Sequence, residues 1–413
     1  MPVLLRKAVL GAGAVVATWL VAIAFATLAI GRADAAEAGW QLKRVVVVMR
    51  HGIRPPTKAK ALPDGFVADA WPSWDVPYGH LTHHGEKAVM QLGVFDRNTY
   101  SALLPKACPG VHDVRFVADT DQRTLRTAEV LGQAMFPGCA VPVENAGMND
   151  KGEGRVDIRF SPFEGEVKPD LDASLKAAEA EAPPGGLKAL DAANAARFAR
   201  LDAILGCCKG SVARLGDLPT MFATGEKVKI DGAIDIGSTA SQVLLLEYAD
   251  GKPMNEVGWG RATKVDIRDL LSLHALEFRL VARPKAIADF AARPLLAEVR
   301  RGLFASDAAA YTVLVGHDSN LAYIGGALGL HWQGGDFAPD DPPPGGALIF
   351  ELWRNGDREK VVIRCRAQTM DEMRSLSPVS KSAITTLRSA VCGQKTACAG
   401  NVFSKVLEAL TAP

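Results

Sequence analysis

The sequence lacks a charge imbalance. Its 413 residues carry 47 Lys and Arg against 46 Asp and Glu, a formal net charge of +1. A nucleic-acid-binding protein needs a basic surface to meet phosphates, so no nucleic-acid partner is expected. Internal repeats and low-complexity tracts are also absent, which excludes repeat arrays. Histidine is scarce, and the cluster His80, His83 and His84 lacks the spacing of a zinc site. No metal and no cofactor are therefore expected. After residue 35 no stretch approaches a membrane span. What the chain does have is 48% hydrophobic residues, enough for a sizeable core. The length suits one large domain with an insertion, or two domains.

The N-terminus follows other rules. Arg6-Lys7 precede an apolar run from Ala8 to Ile30, and Gly31-Arg32-Ala33-Asp34-Ala35 follows, with small residues where a signal-cleavage site needs them. Residues 1–35 are read as a signal peptide cut after Ala35. The run is also long enough to cross a bilayer, so an uncleaved anchor is the alternative. Either way the rest of the chain is expected to be periplasmic or secreted. Seven cysteines in an exported chain argue for disulfides, and the odd count leaves at least one without an intrachain partner. Cys392 and Cys398 flank a short polar turn and could close a small loop. Cys207 and Cys208 are neighbours, closer than a relaxed bridge prefers. Spacing alone leaves the pairing open.

Val45-Val46-Val47-Val48-Met49 reads as a strand buried on both faces, as at the centre of a parallel sheet. The chain then turns polar in Arg50-His51-Gly52-Ile53-Arg54, and Pro55-Pro56 stops the ladder. Thr82 reads as the N-cap of a helix whose apolar positions are Val89, Leu92 and Val94-Phe95. A second strand, Val114–Ala118, ends in Asp119-Thr120-Asp121-Gln122-Arg123-Thr124 and a helical pattern. A third, Tyr311–Val315, ends in Gly316-His317-Asp318-Ser319-Asn320, again before a helical pattern. Strand, polar turn and helix recur, which predicts an α/β fold with ligands at the carboxyl ends of the strands. Residues 171–205, 233–248 and 266–300 are helical in pattern. Ala347–Trp353 and Val361–Ile363 read as a hairpin closing the sheet antiparallel. The expected fold is thus a central, mostly parallel sheet flanked by helices, residues 36–150 and 300–413, with a mainly α-helical domain inserted at 151–299. Such a helical cap is a natural place for substrate selection.

The three strand ends together supply Arg50, Arg54 and Arg123, His51 and His317, and the carboxylate Asp318. Guanidinium groups fit phosphate oxygens, and three of them converging without an anion would repel one another. A small phosphorylated substrate is therefore implied. Histidine beside arginines is favoured in its neutral form and can attack phosphorus. Asp318 is the only carboxyl group among these six residues, and so is the candidate acid for the leaving oxygen.

Arg50-His51-Gly52-Ile53-Arg54-Pro55-Pro56-Thr57 with a distant His317-Asp318 resembles the histidine acid phosphatase family. The likeness runs from about Val45 to Cys398 and extends to Asp69–Pro77, Gly258-Trp259-Gly260 and Pro343-Pro344-Gly345-Gly346, which resemble the bacterial branch of phytases and glucose-1-phosphatases. The resemblance implies a phosphoglycerate mutase-like α/β domain with a helical domain. It also implies His51 as nucleophile, Asp318 as proton donor, and Arg50, Arg54, Arg123 and His317 as the phosphate pocket, without a cofactor. Thr57-Lys58 resembles the phytase form of the motif. Trp74-Asp75-Val76-Pro77 and Phe136-Pro137-Gly138-Cys139 resemble the glucose-1-phosphatase form. Gln242 falls near a position where phytases carry glutamate, so Thr57, Lys58 and Gln242 are the candidate substrate contacts. The pairs Cys108–Cys139 and Cys392–Cys398 resemble family bridges, and Cys365 has no obvious mate. Two other readings are mutase-like phosphoryl transfer, since the Arg-His-Gly start is shared, and a silent sugar-phosphate-binding protein. Oligomeric state is not legible.

Overall fold

Four valines in a row bury side chains on both faces only at the centre of a covered sheet, and that is where the first strand, β1 (Gln41–Arg50), lies. The computed structural model describes residues 39–208 and 213–412. The signal peptide expected at 1–35 lies outside the described residues.

The first half runs β1, α1 (His83–Thr99), β2 (Val114–Ala118), α2 (Gln122–Met135) and β3 (Val143–Glu144). The middle runs α3 (Leu171–Ala180), α4 (Gly186–Leu205), the hairpin β4 (Met221–Thr224) and β5 (Val228–Asp231), α5 (Ala233–Ala249), α6 (Lys264–Val281) and α7 (Lys285–Phe304). The chain returns through β6 (Tyr311–Gly316), α8 (Asp318–Leu328), β7 (Ala347–Asn355) and β8 (Arg358–Arg366). It ends with α9 (Met370–Ser375), β9 (Ile384–Thr386), β10 (Ala397–Ala399) and α10 (Gly400–Thr411).

The large sheet has the order β10-β8-β7-β1-β6-β2-β3, with β9 paired to β8. β1 with β6, β6 with β2, and β2 with β3 are parallel, whereas β7, β9 and β10 pair antiparallel with β8. The parallel centre and antiparallel end match the expected α/β class. Val45, Val47 and Met49 pack on one face with α1 and α2 residues such as Leu92 and Leu131. Val46 and Val48 pack on the other with Leu295 and Leu296 of α7 and Ile324 of α8. Each such fully buried side chain stabilises the fold by about 1.5–3 kcal/mol before entropy is counted. A further core joins α4, α5 and α6 to Ile53, just beyond β1, so the helical layer is anchored on the opening motif itself.

Local signals hold with some adjustments. The Thr82 side chain accepts from the Gly85 N–H at 2.8 Å and caps α1. Val94, expected on the apolar face of α1, is 49% exposed, while Val89 and Leu92 are buried; the i, i+3 spacing won over simple adjacency. The helical pattern expected over 266–300 is divided between α6 and α7, because Pro284 has no N–H to continue the ladder. α7, which straddles the boundary expected at 300, packs on the sheet with α8. The hairpin β4–β5 stands among the helices of the middle segment, and its alternation of buried Val228 and Ile230 is too short to see in the sequence. Cys108–Cys139, Cys392–Cys398 and the neighbours Cys207–Cys208 are bridged, and Cys365 is a buried free thiol. Among the described residues no helix is long and apolar enough to cross a membrane.

Candidate active site

Arg50 is the last residue of β1 and pairs in register with Gly316, the last of β6; Ala118, the last of β2, pairs with Val315. Three parallel strands therefore end side by side, and the residue types picked out above follow each end. The backbone there is held on both sides. His51 N–H donates to the Gly316 carbonyl at 2.9 Å, and the His51 carbonyl accepts from Gly345 N–H at 3.0 Å. Gly52 is required by crowding: a Cβ there would lie 2.8 Å from side-chain carbons of Leu81 and Val89.

His51 is buried, with Nδ1 2.8 Å from the Gly52 carbonyl. A carbonyl only accepts, so Nδ1 carries the proton and Nε2 keeps its lone pair. Arg54 Nε approaches that Nε2 at 3.4 Å. Burial, then the charges of Arg54, Arg123, Arg50 and His317, hold the imidazole well below its usual pKa. Arg54 itself is pushed down to about 9 by burial and by Arg50 and Arg123. Arg50, Arg54 and Arg123 thus crowd one another, and Arg54 has no carboxylate of its own among the contacts of the described residues, which suits a site for an anion.

His317 directly follows β6. Its Nε2 lies 2.7 Å from Asp119 Oδ2 at the end of β2, and its ring meets His51 edge-on with centroids 5.8 Å apart. Arg123, in the first turn of α2, is fixed by its own neighbour, Nη2 to Asp121 Oδ2 at 2.6 Å. Asp119, Asp121 and His317 place three ligand atoms within 4.8 Å of one another, but these atoms already satisfy one another and Arg123.

Asp318 opens α8, where the helix dipole favours a carboxylate. Its Oδ2 lies 2.9 Å from Arg50 Nη2, and its Oδ1 accepts from Ser319 N–H at 2.8 Å. Burial would raise this carboxyl, but Arg50, His274, Arg54 and His317 outweigh it and hold it below the usual carboxylate range. The buried Arg50 also donates to the Pro342 carbonyl at 2.7 Å and to Gln242 Oε1 at 2.9 Å. One guanidinium thus ties the sheet, Asp318 and helix α5 together.

Beyond the guanidinium groups lies a cavity of about 370 Å³ lined by Arg54, Thr57, Lys58, Lys60, Ser238, Thr239, Gln242, His274, Glu277, Phe278 and Asp318, among others. The model for the histidine phosphatase superfamily (branch 2) matches residues 41–166 and 284–367. Phytase AppA of Escherichia coli (strain K12) is 32% identical over 372 residues, covering 83% of this chain and 84% of that protein. Glucose-1-phosphatase of Providencia rettgeri is 26% identical over 90% of this chain and 92% of its own. The solved structure of Hafnia alvei phytase in complex with myo-inositol hexakis sulphate superimposes with a TM-score of 0.83 at 30% identity, covering 92% of this chain and 99% of that one.

The chain belongs to branch 2 of the histidine phosphatase superfamily. It is a histidine-type acid phosphatase, a hydrolase of phosphoric monoesters.

Of the site residues expected from sequence, Arg54, Thr57, Lys58, Gln242 and Asp318 line the cavity, and Arg50, His51, Arg123 and His317 stand at the strand ends and turns beside it. Gln242 is oriented by Arg50, and its amide nitrogen has no partner among the described residues. Sequence reasoning missed Asp119 as the partner of His317, although Asp119 lies in the turn that was singled out. It also missed the α6 residues: His274, whose Nδ1 is 2.6 Å from buried Asp341, and Glu277 and Phe278 on the same helix face. Their i, i+3, i+4 spacing was visible, but not which cavity the face would line.

Proposed function

We propose that this phosphatase is an exported enzyme that hydrolyses small phosphorylated sugars or inositol phosphates through a phosphohistidine at His51, with Asp318 as proton donor. The observation that carries the reading is the Nδ1–Gly52 hydrogen bond, which leaves the Nε2 lone pair among three guanidinium groups. Arg54, Arg123 and His317 hold the phosphoryl oxygens, and Arg50 holds Asp318 in place. As the dianion binds it offsets the cations, and Asp318 takes a proton from solvent. Nε2 attacks phosphorus; the N–P bond forms, the ester P–O bond breaks, and the leaving oxygen takes the Asp318 proton. Water then attacks, giving its proton back to the Asp318 carboxylate. The N–P bond breaks and phosphate leaves. The guanidinium groups stabilise the charge that spreads over the equatorial oxygens. The relatives named above act on phytate or glucose 1-phosphate by their names, which supports a sugar or inositol phosphate as substrate. Bridged cysteines and the leader-like start support export.

The test is hydrolysis of p-nitrophenyl phosphate at about pH 5, where a carboxyl freed of its cations by the bound dianion can be protonated, with alkaline quench to trap labelled phosphoenzyme, since the N–P bond survives alkali but not acid. Wild type should turn over and carry label on His51, and His51→Ala should lose activity by about 10³-fold or more. Near-wild-type turnover in His51→Ala rules out the nucleophile. Export is checked on protein recovered from the cell exterior or periplasm, which should begin at Ala36; recovery only from the cytoplasm with Met1 intact would refute it.

A further inference from the structure

The cavity has two unlike walls. The loop after β1 supplies Arg54, Thr57, Lys58 and Lys60; helices α5 and α6 supply Ser238, Thr239, His274 and Glu277. On the helical side burial, and less strongly Asp318 of the same lining, push the Glu277 carboxyl up, while the Ser238 hydroxyl that donates to it, His274 and Lys227 favour its ionised form. Asp235, in the first turn of α5, is close enough to feel Glu277 as well. One wall therefore carries cations and no carboxylate, while the other presents a carboxylate with hydroxyl groups and His274 beside it. A sugar hydroxyl can donate to a carboxylate, whereas an ionised phosphate ester can only set like charge against it, and like charges juxtaposed in a partly buried site are strongly disfavoured.

We propose that Glu277 is a charge filter: it makes the cavity select polyhydroxylated substrates whose phosphates, beyond the one being cleaved, lie only on the Lys58–Lys60 side, and it disfavours densely phosphorylated rings. The proposal rests on the reading of this cavity as the phosphomonoesterase site and narrows its substrate class. Glu277 acts through the substrate's hydroxyl groups and takes no part in the bond changes at phosphorus.

The experiment compares kcat/KM for myo-inositol hexakisphosphate and glucose 1-phosphate in wild type and Glu277→Gln, with p-nitrophenyl phosphate turnover confirming that each preparation is folded. The ratio of hexakisphosphate to glucose 1-phosphate should rise about tenfold in Glu277→Gln, through a lower KM for the hexakisphosphate and a higher KM for the sugar. Glu277→Ser repeats the test should the glutamine variant not fold, and should move the ratio the same way. An unchanged or lower ratio in an active variant overturns the filter and leaves the phosphatase reading standing. A wild type that hydrolyses none of the three esters overturns that reading, and the filter with it.

Discussion

The floor of the pocket and its helical wall are built differently. The floor sits on three adjacent strand ends, where backbone hydrogen bonds fix His51 on both sides and each charged group has a partner supplied within a few residues or by the neighbouring strand. The wall sits on α5 and α6, whose cavity-facing residues depend on how two helices pack over the sheet. Arg50 spans both, through Asp318 on one side and Gln242 on the other. A strand-end site is fixed by ladder geometry, and catalysis tolerates little displacement there. A helix face can change residue by residue without disturbing the ladder, which suits substrate choice. The floor should therefore control turnover of every ester, and the wall should control which ester is preferred.

The largest effect should come from the floor. Asp318→Asn keeps the shape and removes the proton. It should lower kcat by about 10²–10³-fold on an alkyl phosphate, whose leaving group needs the proton, and by no more than about tenfold on p-nitrophenyl phosphate. Equal losses on the two esters would remove the proton-donor role and leave Asp318 as a group that only orients Arg50.

The same contrast explains what could be read from sequence. The floor was legible because its residues are local: a buried strand and a turn rich in charge three times over, with a helix start directly after two of them. Asp119 was read as part of its turn but had no assigned task, since its pairing with His317 crosses from β2 to β6. The wall was legible as helices but not as a surface. His274 and Asp341 are far apart in the chain and meet only in the folded protein, and Glu277 looked like any charged helix residue. The hairpin β4–β5 was decided by packing against cores that the linear pattern does not display, whereas the division between α6 and α7 follows Pro284, which the sequence does show.

A smaller effect separates the wall from the floor by stability. Glu247, on α5 one turn beyond Gln242, is buried, and burial pushes its carboxyl up to about 8 despite the hydrogen bond it accepts from Gly258 N–H and the nearby Lys252. A raised carboxyl favours folding while it is neutral. That stability is complete below the unfolded value near 4.5 and is lost as pH rises through about 8. The loss amounts to about a few kcal/mol, or several degrees in Tm. Glu247→Gln stays neutral, so its Tm should fall less between pH 5 and pH 8 than that of wild type, measured by differential scanning calorimetry. Asp235, pushed up to about 6 by burial, Glu277 and Asp231, contributes in the same direction and remains in both proteins. Parallel Tm profiles for the two would show that α5 is not the element that weakens with pH.

The smallest effect comes from a residue that is local to the floor in sequence yet belongs with the wall in behaviour. Lys58 lies four residues past Arg54, but it is exposed and lines the outer cavity opposite Glu277. A flexible ammonium in contact with solvent gives modest, screened attraction, unlike the buried guanidinium groups beside His51. Lys58→Ala should therefore raise KM for myo-inositol hexakisphosphate by about three- to tenfold, and by less for glucose 1-phosphate, with the difference shrinking as salt is added. This is opposite in sign to the change expected for Glu277→Gln. A loss in kcat of the same size on both substrates would instead assign Lys58 to the floor, and the boundary between catalysis and choice would then lie beyond the opening loop, at α5.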